Sequence, residues 1–267
     1  MLNPEFSQML ARVIGERTGI HHDPDRQYLL ESRLTPLLKT FQLPSLSALA
    51  HLLEQTSLEQ EPWLSVCDAI STGETYFFRD RHGLDLIFST LLPPLLKSRG
   101  SMNLLSVGCS SGEEVYSLSI LRFLAGFSSS LSLEGLDLSF RQIMKAKEGI
   151  YGARDVRLLD QELIDRFFDH DGHRRRVKDA IRENTRFTQG NILSLSRDRP
   201  PLSVDGILCR NVVIYFDEEV RRKSIKEFYP LLRKGGFLIL GSGETLPDNG
   251  SPFRQESHGG VMVFRKE

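Results

Sequence analysis

A change in hydrophobic pattern after residue 101 constrains the fold of this chain more than any other feature. From there on, short apolar runs such as Met102–Val107, Leu131–Leu136 and Val204–Cys209 alternate with segments of helical periodicity. Strands and helices that alternate in this way are typical of a doubly wound sheet with helices on both faces. The sequence therefore predicts an α/β domain over residues 102–267.

Two later segments complete the predicted α/β domain. Residues 154–184 are polar and fit the alternation poorly, and Asp171-Gly172 inside them is typical of a hairpin turn. We interpret this segment as an inserted β-hairpin subdomain. Further on, Asp217 is placed to cap a helix that continues to Lys234, before strands at 237–240 and 261–264.

The region before residue 71 has a different character. Apolar residues recur at helical spacing between residues 30 and 41, where Pro36 predicts a kink or a new helix start. Ser45 begins a second helical pattern and Glu61–Trp63 a third, and no β alternation occurs before residue 100. We predict an all-α domain over 1–70 and a hinge over 71–101.

Composition excludes several classes of protein. Lys and Arg number 34 against 35 Asp and Glu, and this balance argues against a protein that coats nucleic acid. No apolar run approaches the about 18 residues that span a bilayer, and the first residues do not form a signal peptide. Cys67, Cys109 and Cys209 lie far apart, which favours free thiols over a zinc site. We expect a cytoplasmic protein without metal or membrane insertion.

The first candidate site is the turn after the strand at 102–107. Gly108 and Gly112 bracket this turn, where glycine lets the backbone approach a ligand at a helix N-terminus. The spacing is neither GxGxxG nor a phosphate-binding GK[ST] loop. Asp137 ends the next strand, where a carboxylate can accept both hydroxyls of a ribose. Together they favour an adenosine-containing cofactor and do not separate NAD from S-adenosylmethionine (SAM).

Two further segments carry polar and aromatic side chains. Asn211 and Tyr215 follow the strand at 204–209, at the sheet edge where ligands sit in open α/β folds. Arg79 follows two phenylalanines in the hinge, where it can bind a ligand or only dock the two domains. On the residues alone, a buried tyrosine and a docking arginine remain open alternatives.

Six segments in fixed order carry a family resemblance. They are TGETYFFRD, GCSSGEEVYS, KAKEGIYG, QGNIL, CRNVVIYFD and LLRKGGFLILGSGETL. From about Ser71 to Lys266 the chain resembles the bacterial chemotaxis receptor methyltransferases, the CheR family, and residues 1–70 resemble that family's N-terminal domain less specifically. The resemblance implies a class I SAM-dependent methyltransferase fold. It also implies methyl transfer from SAM to glutamates on receptor signalling helices, giving glutamate 5-O-methyl esters and S-adenosylhomocysteine (SAH).

The resemblance also implies roles for individual residues. Arg79 and Tyr215 are the implied catalytic residues beside the methyl group, Asp137 holds the ribose, and Asn191 with Ile192 frames the adenine. The full implied cofactor-binding set is Thr75, Arg79, Gly108, Glu114, Asp137, Asn191, Ile192, Cys209, Arg210 and Asn211.

The chain departs from the family pattern in two places. Gly73 stands where many relatives have asparagine. The hairpin Phe168–Val177 is shorter than in relatives that bind a receptor's C-terminal pentapeptide by adding a strand, so pentapeptide tethering is not expected. Its basic run, Arg174–Lys178, is a candidate contact for an acidic receptor helix or else a solvated strand. Two other functions remain open: methyl transfer to a different acceptor, and a SAM-binding regulatory module without transferase activity.

Overall fold

The N-terminal region folds as a small helical unit. The computed structural model describes residues 4–22, 25, 27–127, 130–247 and 251–267, so residues 1–3, 23–24, 26, 128–129 and 248–250 of the two predicted domains lie outside the described part. The N-terminal helices are α1 (Pro4–Thr18), α2 (Gln27–Thr40), α3 (Leu46–Gln55) and α4 (Trp63–Ile70).

Buried apolar side chains hold these four helices together. Leu34, Leu49 and Trp63 are fully buried in a core separate from that of the sheet. The Ser45 hydroxyl accepts a hydrogen bond from the Ala48 amide at 3.2 Å, which confirms the predicted start of α3. Of the two alternatives predicted at Pro36, a kink or a new helix start, the new start is wrong, because α2 runs through this residue and keeps Leu34 in the core.

A mixed seven-stranded sheet and a smaller three-stranded sheet form the second region. The described strands are β1 (Met102–Val107), β2 (Leu131–Asp137), β3 (Ile150–Tyr151), β4 (Phe168–Asp171), β5 (Arg174–Val177), β6 (Thr185–Gln189), β7 (Val204–Cys209), β8 (Leu232–Leu240), β9 (Arg254–His258) and β10 (Val261–Arg265). The helices are α5 (Arg81–Leu86), α6 (Leu92–Arg99), α7 (Glu113–Leu124), α8 (Phe140–Glu148), α9 (Gln161–Phe167), α10 (Asp179–Arg182), α11 (Leu195–Asp198) and α12 (Glu218–Leu231).

The order of strands places a crevice at the centre of the main sheet. That order is β6-β2-β1-β7-β8-β10-β9, with β1 parallel to both β2 and β7, and β10 antiparallel to β8. The chain moves outward in one direction from β1 and in the other from β7. The strand order therefore reverses between β1 and β7, and this is where open α/β sheets bind ligands.

Several boundaries differ from the sequence prediction. The last long helix ends at Leu231, three residues before Lys234, because Leu232 is already paired with Val204 as the first residue of β8. Strands β6 and β9 were not predicted. Both lie at edges of the sheet and carry mostly polar residues, so their hydrophobic pattern is weak.

The inserted hairpin is confirmed as strands β4 and β5, which join β3 in a three-stranded sheet of order β3-β5-β4. Phe77 of the hinge attaches this sheet to the rest of the molecule. Its ring contacts Tyr151 and Phe168 edge-to-face, with centroid distances of 4.9 and 5.1 Å. No helix in the described ranges is both long and apolar enough to cross a membrane.

Candidate active site

A cleft opens at the carboxyl ends of β1, β2 and β7, and hinge residues together with the end of α1 form its opposite wall. The predicted residues that line it are Thr75, Arg79, Gly108, Glu114, Asp137, Asn191, Ile192, Arg210, Asn211 and Tyr215. The fold thus brings together residues as far apart in the sequence as Thr75 and Tyr215.

Cys209 is the one predicted residue whose side chain lies elsewhere. It is the last residue of β7 and is fully buried in the hydrophobic core beneath the cleft. Burial raises the pKa of this thiol well above its usual range, so it remains a neutral core side chain. Any contact between Cys209 and a ligand must therefore come from its backbone.

The glycine turn and Asp137 form one side of the cleft. Gly108 has a φ of +73°, and a Cβ there would lie 2.3 Å from a methyl of Val212 across the cleft. The Asp137 carboxylate accepts hydrogen bonds from the amides of Ser110 at 2.8 Å and Ser139 at 2.9 Å. Burial is the largest influence on this carboxyl and raises its pKa, although the two amides act in the opposite direction.

Glu114 and Arg210 meet under the cleft in a paired network. Glu114 accepts a hydrogen bond from the Ser106 hydroxyl at 2.7 Å and one from the Arg210 guanidinium at 2.7 Å. Arg210 also donates to the backbone carbonyls of Arg79 and Asp80, at 2.7 and 3.1 Å. A single guanidinium therefore ties the end of β7 to the start of α7 and to the hinge.

The hinge segment is held in an uncommon backbone conformation. Phe78 and Asp80 have φ values of +58° and +47°, in the left-handed region that is unfavourable for a bulky side chain. Surrounding groups fix it, since the amides of Phe77 and Phe78 donate to the Asp155 carbonyl and the Ser117 hydroxyl, both at 2.9 Å. Arg79 lies between Phe78 and Asp80 and lines the cleft, where its guanidinium donates to the Glu74 carbonyl at 2.8 Å.

Tyr215 lies at the mouth of the cleft. Its hydroxyl is 3.0 Å from the Thr72 hydroxyl, and its side chain is partly exposed. The Tyr215 carbonyl accepts a hydrogen bond from the His21 amide at 2.9 Å. The N-terminal region and the hinge therefore both contact the turn that carries this tyrosine.

Asn191 connects the other end of the cleft to the N-terminal region. Its side-chain nitrogen donates to the Arg17 carbonyl at 2.6 Å, and its oxygen accepts from the Leu193 amide at 3.0 Å. Thr18 and Ile20 line the cleft next to it. The end of α1 is thus part of the cleft wall, which the sequence did not predict.

Glu244 is also part of the site, and the sequence did not assign it a role. Its buried carboxylate accepts hydrogen bonds from the amides of Asn211 and Gly241, both at 2.7 Å, and of Ile214 at 3.2 Å. Asn211 has a φ of +59°, in the left-handed region, and this carboxylate holds the backbone of its turn in place. The segment GSGETL contains Glu244 and Gly241, but the sequence shows only that they follow a strand.

The sheet order, the glycine turn and the strand-end acid define a class I SAM-dependent methyltransferase with an all-α N-terminal region. The family model described as "CheR methyltransferase, SAM binding domain" matches residues 73–260, and "CheR methyltransferase, all-alpha domain" matches residues 5–71. The chain belongs to the CheR methyltransferase family, and its cofactor is SAM.

Curated relatives agree with this assignment over nearly the whole chain. Chemotaxis protein methyltransferase 1 of Pseudomonas aeruginosa is 35% identical, and the match covers 91% of each chain. Chemotaxis protein methyltransferase 2 of Vibrio cholerae is 30% identical over 94% of this chain and 87% of its own.

Solved structures were also matched at lower similarity. A SAM-dependent methyltransferase from Methanosarcina mazei has a TM-score of 0.39 and 17% identity, covering 65% of this chain and 97% of its own. PKMT2 from Rickettsia typhi, in complex with AdoHcy, has a TM-score of 0.39 and 20% identity, covering 62% and 26%.

The residues of the cleft fit SAM. The Ser110 hydroxyl oxygen is buried at the cleft without a hydrogen-bond partner among the described residues, and it is a donor available to a ligand. Asp137 keeps lone pairs for ribose hydroxyls, since each of its oxygens accepts one amide. Among the described residues no cluster of side chains could hold a metal ion.

Proposed function

We propose that this chain methylates specific glutamate side chains on the cytoplasmic signalling helices of chemotaxis-type receptors. The products are glutamate 5-O-methyl esters and SAH, and each transfer removes one negative charge from the receptor. The enzyme would act in the cytoplasm. The observation that carries the proposal is that Arg79 and Tyr215 both line the cleft that also contains Asp137.

The chemistry of a glutamate acceptor suits this cleft. A glutamate carboxylate with a reference pKa of about 4.3 is already ionised at neutral pH and needs no general base. The rate then depends on holding the carboxylate in line with the methyl group that SAM supplies, which is catalysis by orientation. A site that positions an anion and excludes water is sufficient for this reaction.

Arg79 and Tyr215 are the groups that we propose for this positioning. Among the described residues Arg79 forms no ion pair, and one carbonyl accepts from its guanidinium, so further N–H groups remain for an incoming carboxylate. The Tyr215 hydroxyl can donate a second hydrogen bond while it accepts from Thr72. Charge-assisted bonds of this kind orient a carboxylate strongly.

The remaining predicted residues are proposed to contact different parts of SAM. We propose that Asp137 binds the ribose, Asn191 and Ile192 frame the adenine, and the backbone of the Gly108 turn follows the amino-acid part. We also propose the functional division 1–70, 71–101 and 102–267, with the insertion at about 154–184. In this division the hinge supplies Thr75 and Arg79, and the first region closes the adenine end.

The test is a methyl transfer assay with radiolabelled SAM and receptor-bearing membranes, in which alkali releases methanol from esters but not from N-methyl groups. Base-labile label on the receptor is the expected result. Base-stable label would favour another acceptor. Tight SAH binding without any transfer would favour the regulatory module.

Two substitutions test the assigned roles. Arg79→Ala and Tyr215→Phe are each expected to reduce the transfer rate by tenfold or more, on the order of one lost charge-assisted hydrogen bond. Arg222→Ala removes an exposed arginine of α12 that does not line the cleft, and it serves as the matched control. If both cleft variants transfer at the wild-type rate with SAM bound, these roles are wrong.

A further inference from the structure

Two arginine side chains lie at Tyr76, on a side of the cleft to which the proposed reaction assigns no role except that of Arg79. The guanidinium of Arg157 stacks on the ring of Tyr76, 3.6 Å from its centroid, and that of Arg79 lies 5.9 Å from the same centroid. Tyr76 itself lines the cleft. Arg157 therefore lies one aromatic ring away from the SAM site, on the inserted segment and not on the hinge.

The loop that carries Arg157 is held by hydrogen bonds and buried side chains. The Gly152 amide donates to the Asp155 carboxylate at 2.9 Å, and the Asp155 carbonyl accepts from the Phe77 amide at 2.9 Å. Val156 and Leu159 are buried on either side of Arg157, so the loop is anchored in the core. Arg157 is thus presented at a fixed place, which lowers the entropic cost of binding a partner there.

Two guanidinium groups lie at the Tyr76 ring, and that of Arg157 also contacts the backbone of Arg154. Among the described residues neither Arg79, Arg154 nor Arg157 forms an ion pair, whereas Asp155 is 3.5 Å from Lys145 and Asp80 is 3.4 Å from Arg210. Glu74 is the opposing carboxylate on the hinge. The exposed side chain of Leu158 adds an apolar surface next to Arg157.

We propose that Tyr76, Arg154, Arg157 and Leu158 form a docking shelf for an acidic helix, which holds the carboxylates that flank the methyl-accepting glutamate. The proposal rests on the proposed function and adds the surface that selects the acceptor. Cations and an exposed leucine complement a helix that is rich in glutamate and has apolar positions. The Arg157 guanidinium donates one hydrogen bond to the Arg154 carbonyl at 2.7 Å, and its remaining N–H groups are available to a carboxylate.

The basic hairpin is the competing surface. Arg174 is exposed on β5, and Arg176 is already 3.6 Å from Asp171 of β4. Equal charge reversals at Arg157 and Arg174 therefore separate a specific shelf from general attraction between a basic protein surface and an acidic partner.

The test measures binding of two synthetic dimeric coiled coils to the full chain saturated with SAH. The coils are identical except that exposed glutamates in one are glutamines in the other. We expect the wild type to prefer the glutamate coil by about fivefold or more, the size expected for a few exposed ion pairs. Arg157→Glu should abolish this preference, Arg157→Lys should keep most of it, and Arg174→Glu should leave it unchanged.

Three results would overturn the shelf: no preference in the wild type, a preference that survives Arg157→Glu, or an equal loss in Arg174→Glu. SAH affinity within about twofold of wild type verifies that a variant's cleft is intact. The methyl transfer assay keeps the two proposals apart. Transfer to receptors that Arg157→Glu does not alter would refute the shelf alone, whereas an Arg157-dependent preference without any transfer would refute the proposed function alone.

Discussion

The two sides of the cleft are built differently. The buried network, by which we mean the buried Asp137, Arg210 and Glu244 with the half-buried Glu114, consists of charged groups that hydrogen-bond to one another, to a serine hydroxyl or to the backbone. The rim, by which we mean Thr72, Gly73, Arg79 and Tyr215, has fewer contacts, and Tyr215 is 38% exposed against 7% for Arg210.

Because of this difference, substitutions on the two sides of the cleft should affect different quantities, the stability of the fold on one side and the rate of the reaction on the other. A buried charge that loses its partner is costly, because neither water nor another group replaces the lost bond. A rim side chain that loses a contact is solvated instead. We therefore expect substitutions in the buried network to change the free energy of unfolding, and substitutions at the rim to change mainly the reaction with an acceptor.

The largest effect is expected from Arg210→Met, which keeps most of the side-chain length and removes the charge. Glu114 and the carbonyls of Arg79 and Asp80 then lose their donor. We expect the free energy of unfolding to fall by about 3–5 kcal/mol, as measured by urea titration. Tyr215→Phe at the rim is the control and should change it by less than about 0.5 kcal/mol. If the two variants unfold at the same urea concentration, the buried network is no more important for stability than the rim.

A pH-dependent effect of similar size is expected at Glu113, the buried neighbour of the network in α7. Burial is the main cause that raises the pKa of this carboxyl from 4.5 to about 7, although Lys145 and Ser111 partly oppose it. The folded protein therefore binds this proton more tightly than the unfolded chain. Its contribution to stability is fully present below pH 4.5 and is lost as the pH rises to about 7.

The change corresponds to about 3 kcal/mol, and Glu113→Gln should remove it, because glutamine is neutral and still accepts from the Ser111 hydroxyl. Urea titrations at about pH 5 and about pH 8 measure the difference between wild type and variant. Glu219→Gln, at an exposed position of α12, is the control. A variant that keeps the full wild-type pH dependence would show that Glu113 is ionised in the folded protein throughout this range.

A smaller effect is expected from Glu244→Gln. The amide keeps one acceptor oxygen but places an N–H₂ group against amides that now donate to the carboxylate. We expect a loss of about 1–3 kcal/mol in unfolding free energy and weaker SAH binding, because the turn at Asn211 relaxes. Calorimetry measures both quantities. Glu218→Gln on the surface of α12 should change neither, and unchanged SAH affinity in Glu244→Gln would show that the turn is held by other contacts.

The alternation of strands and helices predicted part of the cleft, because parallel strands end at one edge of their sheet. Asp137 ends a strand, and Gly108 and Asn211 lie just after one, so the apolar runs suffice to place them. The family resemblance alone implied a further set of cleft residues, namely Thr75, Glu114, Asn191, Ile192 and Arg210. Glu244 could not be placed in this way, since its role depends on where a chain segment returns after β8. The contact of Asn191 with the end of α1 joins two regions that no local pattern relates.

The predicted role of Cys209 shows the limit of a motif. Cys209 is the last residue of β7 and Arg210 follows it, and successive side chains at the end of an extended strand point in opposite directions. Arg210 and Asn211 line the cleft, whereas the thiol of Cys209 points into the core. In the same way, β6 and β9 escaped prediction because polar edge strands lack the apolar pattern that identifies central ones.

The smallest effect is expected at Gly73, where the family resemblance leads us to expect asparagine. Its φ of +56° lies in the left-handed region, which asparagine tolerates better than other residues with a side chain. A Cβ there would lie 2.3 Å from the side-chain nitrogen of Gln142, the mobile end of a flexible side chain. We expect Gly73→Asn to change the unfolding free energy by less than about 0.5 kcal/mol, with Gly73→Ala losing about 1 kcal/mol as the matched control.

The same pair of variants also tests whether the rim acts on turnover. Asparagine adds a hydrogen-bonding group beside Gln142, which itself lines the cleft, whereas alanine adds only a methyl group. A change in methyl transfer rate in Gly73→Asn at unchanged stability would support the separation of rim from buried network. A stability loss as large as that of Arg210→Met would contradict it, because the rim would then be as tightly coupled to folding as the groups beneath it.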